Sequence, residues 1–60
     1  MTQSEAIVAA AEFANYELNA SEVANATVTE REDGIFVIEF TSEDIVAVSV
    51  SGECMMVGRN

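Results

Sequence analysis

The sequence predicts an α+β domain, with one N-terminal helix packed on a four-stranded antiparallel β-meander. Three observations lead there. Apolar residues recur at helical spacing as far as Leu18. From Ala26 the period changes to two, and short turn segments (Asp33-Gly34, Ser42-Glu43-Asp44, Ser51-Gly52-Glu53) cut the chain into runs of strand length. Sixty residues hold a single core and leave no room for a second domain.

Thr2-x-x-Glu5 has the form of a capping box, and Ser4 is a second possible N-cap. Behind it Ile7, Ala10, Ala11, Ala14 and Leu18 trace one helical face, with Glu5 and Glu12 opposite. The spacing predicts a helix over residues 3–18, ~24 Å long, whose alanine-rich stripe can lie close to a sheet. Phe13 flanks the stripe and is expected to fill the core. Tyr16 points nearer the solvent, where it is available to a partner. Residues 19–25 form a connection, with room for one helical turn begun by Ser21.

Strands are predicted at residues 26–31, 35–41, 45–51 and 53–58. The first hairpin can be tested for register. A two-residue Asp33-Gly34 loop pairs Val28 with Glu39 and scatters the apolar residues over both faces. A three-residue loop, Glu32-Asp33-Gly34, with glycine in the left-handed bulge position pairs Val28 with Ile38 and Ala26 with Phe40. This second register gathers Val28, Phe36, Ile38 and Phe40 on one face, joined by Val46, Val48 and Val50, and it is the one expected. The other face then carries Thr27, Thr29, Arg31, Ile35, Val37, Glu39, Ile45, Ala47, Ser49 and Ser51. One helix cannot cover both sides of such a sheet. The apolar patch of Ile35, Val37, Ile45 and Ala47 is therefore a candidate interface.

Composition removes several function classes. There is no histidine and no lysine, so the usual general bases and Schiff-base nucleophiles are missing, and no enzyme activity is expected. The one cysteine, Cys54, forms no internal disulfide and sits among apolar residues and acids, which raise a thiol pKa. Met55 and Met56 beside it are expected to fill the sheet edge. One cysteine without histidine cannot build a structural zinc site in a monomer. Glu30, Glu32 and Asp33 lack the calcium-loop pattern, so neither metal nor cofactor is expected. The opening residues Met1-Thr2-Gln3-Ser4-Glu5 have neither a basic nor a long apolar segment, and no apolar run approaches ~20 residues. A cytoplasmic protein is expected, and the Asn-x-Ser/Thr matches at Asn19 and Asn25 are read as chance.

Charge is the most informative quantity. Eleven acids oppose two basic residues, Arg31 and Arg59, for a net charge of −9. Such a chain repels nucleic acid and anionic membrane alike and suits a cationic protein partner. In the meander, the first and third turns and the helix N-terminus share one end, which gathers Glu5, Glu30, Glu32, Asp33 and Glu53. The opposite end gathers Glu17, Glu22, Glu43 and Asp44. Glu30, Glu32, Asp33, Glu53, Glu5, Glu43 and Asp44 are the candidate partner-binding residues. The like charge of two copies favours a monomer, with weak dimerisation through the apolar patch at high salt.

In size, acidity, absence of lysine and helix-then-sheet order the whole chain resembles the small anti-CRISPR proteins of phages and mobile elements, above all inhibitors of type I CRISPR effector complexes. That resemblance implies a DNA mimic in the bacterial host cytoplasm, whose carboxylates occupy the basic DNA-recognition surface of an effector subunit and block target DNA. The family shares no binding motif, so Glu30-Arg31-Glu32-Asp33 is selected by the charge map alone. Ser4-Glu5-Ala6-Ile7 and Ser51-Gly52-Glu53 are similar in placement to the helix start and final turn of PepSY-type inhibitory domains, which implies instead a non-enzymatic immunity or assembly module binding through its sheet. The chain lacks that family's secretion signal, its aspartate before the last turn and its basic residues.

Overall fold

In the computed structural model, which describes residues 1–58, the capping box forms as the sequence predicts. The Glu5 backbone N–H donates to Thr2 Oγ1 at 3.2 Å, and the Thr2 N–H donates to Glu5 Oε1 at 2.8 Å. Helix α1 spans Gln3–Ala14, four residues shorter than the periodicity implies. Asn15 takes the left-handed conformation (φ 67°), and the Tyr16 N–H reaches back to the Ala11 carbonyl at 2.8 Å. This pair of features is a Schellman-type ending, with asparagine where glycine is commoner. The periodic stripe therefore stops at Ala14, and Leu18 is left half-exposed. The helical turn begun by Ser21 is present as α2 (Ser21–Ala24).

The strands are β1 (Thr27–Glu30), β2 (Phe36–Glu39), β3 (Ile45–Val48) and β4 (Cys54–Gly58), ordered β1-β2-β3-β4 and antiparallel throughout. Each is shorter than the sequence suggested because the turns take more of the chain. The expected register holds: Val28 lies opposite Ile38 and Thr27 opposite Glu39. Near its end β4 bulges against the Ile45/Val46 step of β3.

All three hairpins close in the same way. The Arg31 N–H donates to the Ile35 carbonyl and the Gly34 N–H returns to Arg31; Phe40, Asp44 and Glu43 repeat the pattern, as do Ser49, Glu53 and Gly52. The third loop residue must then be left-handed, and φ is +84° at Gly34, +74° at Glu43 and +93° at Gly52. Two of these turns use the residue that adopts this conformation at no steric cost. The middle one uses a glutamate.

Helix α1 packs across β2, β3 and β4. Ala6 and Ala10 are fully buried against Phe36, Ile38, Phe40, Val46 and Val48, Ala11 is fully buried as well, and these small side chains let the helix approach the sheet closely. Two apolar residues expected inside are not there. Phe13 is half-exposed, because inside the helix it lies to the side of the buried stripe of Ala6, Ala10 and Ala11. Val50 is exposed, because it belongs to the third turn and lies beyond the sheet's end. Tyr16 departs in the other direction: it is half-buried, and its ring lies 4.5 Å from that of Phe40. The two methionines separate, Met56 packing against the core and Met55 standing exposed on the other face of β4. Among the described residues no helix is long and apolar enough to cross a membrane.

Candidate functional site

The structure brings the candidate acids to two ends of a domain measuring 27 × 20 × 16 Å. A Cβ added at Gly34 would lie 2.7 Å from Val50 Cγ1, and one at Gly52 would lie 3.6 Å from Met1 Cε, so the first turn, third turn and helix N-terminus meet. At the other end the Tyr16 hydroxyl bonds Ser42 Oγ and donates to Asp44 Oδ2 at 2.7 Å, which ties the helix C-terminus to the second turn.

Sharing an end is not sharing a face. At the first end, Glu5 closes the capping box. Asp33 accepts from the Ile35 N–H at 3.2 Å and pairs with Arg31 at 3.5 Å. Strand alternation puts Glu30 on the helix side of the sheet and Glu53 on the open side, and Glu32 lies at the turn tip between them. At the second end Asp44 is held by Tyr16, whereas Glu43 projects from its left-handed backbone with an exposed side chain. Of the seven candidates, Glu5, Asp33 and Asp44 therefore have structural partners, and Glu30, Glu32, Glu43 and Glu53 remain as exposed carboxylates. Among the described residues no three acid or cysteine side chains converge to hold a metal ion.

Sequence reasoning missed part of the open sheet face. The register sets Thr29, Val37, Ala47 and Met55 in one row across the sheet, with Ile45 and Val57 beside it. Met55 and Val57 are 67% and 60% exposed, which extends the apolar patch to the β4 edge. Continuing the two-residue alternation through 53–58 finds both residues. Glu39, also exposed on this face, is a further carboxylate that the turns do not account for.

The strained turn makes a test. An L-residue in the left-handed region costs roughly 1–2 kcal/mol, part of which a glycine gives back through the freer unfolded chain. Glu43→Gly is expected to raise stability by about 0.5–1 kcal/mol in urea unfolding, with Glu43→Asn between the two. A destabilised glycine variant would show that the Glu43 side chain supports the fold.

The titrating groups set a pH window. The Thr2 backbone N–H, followed by its hydroxyl, holds the Glu5 carboxylate below its ordinary value, so its contribution persists above that value and is lost as pH falls through the lower folded one. The hydrogen bond to Asp44 holds the Tyr16 phenol above its ordinary value, and burial raises the Cys54 thiol. The folded state therefore keeps those two protons more tightly, and the stability they confer is lost as pH rises through their folded values. The melting temperature should be level between about pH 5 and 8 and fall above ~9, in the ordinary thiol and phenol range. Tyr16→Phe should lower neutral stability by ~1 kcal/mol and remove the portion of the fall above ~10. An unchanged alkaline limb in that variant would assign the loss elsewhere.

Comparison with protein-family models, with curated proteins and with solved structures returned no match.

Proposed function

We propose that the protein is an acidic inhibitor that seats on a cationic nucleic-acid-recognition surface of a partner protein, such as a CRISPR effector subunit, with turn carboxylates in place of phosphates. The observation that carries this reading is the surplus of exposed acids over cationic side chains among the described residues. Among the described residues Arg31 is the one cationic side chain, and it is already paired with Asp33. Glu43 adds weight, since a turn that glycine would make more stable carries a carboxylate instead; strain retained against the fold's interest is a feature of functional positions.

Magnitude sets the size of the target. Over 27 Å, duplex DNA presents about 16 phosphates, far more than the carboxylates at either end here. The protein covers a slot for a few consecutive phosphates, of the size that reads a protospacer-adjacent motif, and does not imitate a long duplex.

The test is competition with target DNA for a purified effector complex. Inhibition should weaken steeply between 0.1 and 0.5 M salt, as expected for displaced phosphate contacts. Glu30→Lys with Glu32→Lys, which leaves Asp33 to hold its turn, should raise the inhibitory concentration at least tenfold. Inhibition unchanged in molar salt, or indifferent to the double reversal, would overturn the proposal.

A further inference from the structure

We infer that the open sheet face is a docking groove for a cationic amphipathic helix of the partner protein. This rests on the proposal that the partner is cationic, and it adds which surface carries the contact and what lies on it. On the open face Glu39 sits on β2 opposite Ile45, and Glu53 lies beyond the start of β4 opposite Ser49. The two are separated by two strand spacings laterally and four residues along β3. That places their backbones about 16–17 Å apart on a diagonal. The midpoint of the diagonal is Ala47, the smallest apolar side chain of the patch, opposite Val37 on one side and Met55 on the other.

The short Ala47 side chain lies on that line, with larger apolar residues flanking it. Ile35 and Val37 form one bank, and Ile45, Met55 and Val57 form the other. A shallow depression of about 130 Å³, lined by Ile35, Ala47, Ser49, Glu53, Cys54 and Met55, covers the Glu53 half of the line. Charge decides what fills it. A carboxylate stands at each end of this apolar line, and Arg31, the one cationic side chain among the described residues, is drawn to Asp33. A second copy would bring the same acids to the same ends and be repelled. Three turns of α-helix span ~16 Å, which matches the separation of Glu39 and Glu53. A helix with lysine or arginine eleven residues apart, and apolar residues at i+3, i+4, i+7 and i+8 between them, satisfies both ends and the floor at once. Glu53 also belongs to the acidic end, so such a helix leads directly into the turns that carry the exposed carboxylates.

The experiment titrates isotope-labelled protein with three synthetic 14-residue peptides and follows amide shifts by NMR. The first has two lysines eleven apart and a leucine stripe between them; the second keeps the lysines and replaces leucine by serine; the third keeps the leucines and replaces lysine by glutamate. The first peptide should bind, with shifts centred on residues 37, 47 and 55. The other two should bind at least tenfold more weakly. Ala47→Gln, which fills the groove floor on an open surface, should weaken the first peptide at least tenfold, as should Glu39→Lys with Glu53→Lys. If the serine peptide binds equally well, with shifts at residues 30–34, the turns alone are the cation site and the helix groove is overturned while the proposed function stands. Equal binding of the glutamate peptide would reduce the face to a nonspecific apolar surface. Absence of binding by the first peptide would overturn the helix groove, while the proposed function stands or falls by the competition with target DNA.

Discussion

Phe40→Ala should lower the stability of the protein by about 3–5 kcal/mol, a third or more of its total. Phe40 is the largest fully buried side chain, and truncating such a residue costs about 3–5 kcal/mol through lost burial and the cavity left behind. A domain of this length has roughly 3–9 kcal/mol of stability in total. Phe40 also carries more than its own burial. Its ring supports Tyr16, and its backbone N–H and carbonyl close the second turn with Asp44 and Glu43. Losing the ring therefore loosens the helix end and the turn together. Phe13→Ala is the matched control: that ring is 49% exposed, so its loss should cost under ~1 kcal/mol. Circular dichroism and urea unfolding of the two variants decide the matter. A Phe40→Ala protein within 1 kcal/mol of the parent, or a Phe13→Ala protein equally damaged, would contradict the core assigned here.

That contrast also shows what could be read in advance. The register of the first hairpin was legible, because a one-residue slip moves every apolar side chain to the wrong face and Gly34 supplies the left-handed turn position. The end of α1 was not. Ala14 and Leu18 continue the helical spacing, and only the backbone of Asn15 stops it. Once it stops there, Tyr16 turns toward Phe40, whereas Phe13, inside the helix but beside its buried stripe, stays half-exposed. The Tyr16 bonds to Ser42 and Asp44 cross 26 and 28 residues, and no local pattern encodes such a contact. The acids were assigned to the correct ends, since topology alone places turns. Their division between the two faces, and the engagement of Glu5, Asp33 and Asp44 in cap, ion pair and tyrosine bond, depends on side-chain geometry that composition does not carry. Ala47 gained its significance only when Glu39 and Glu53 were seen at opposite corners around it.

The salt response of folding bears on the central claim, that the exposed acids are held for a partner and do not hold the fold together. Nine excess negative charges occupy a body of 27 × 20 × 16 Å, with a mean separation of about 18 Å. Their screened repulsion is roughly 4–5 kcal/mol at 0.01 M salt, ~1.4 kcal/mol at 0.1 M and close to zero at 1 M. Unfolding spreads the charges and relieves most of it. Raising sodium chloride from 0.1 to 1 M should therefore stabilise the protein by about 1 kcal/mol, or 4–8 °C in melting temperature, with a larger rise from 0.01 M. Glu30→Gln with Glu32→Gln should flatten that rise, which separates charge screening from a general salt effect. The most direct measurement is thus the melting temperature across 0.01–1 M sodium chloride, with and without a chelator. A monotonic rise and no response to chelator are expected. A fall with added salt, or a loss on chelation, would mean that ion pairs or a bound cation hold the acidic turns in place, and that these carboxylates serve the fold and not a partner.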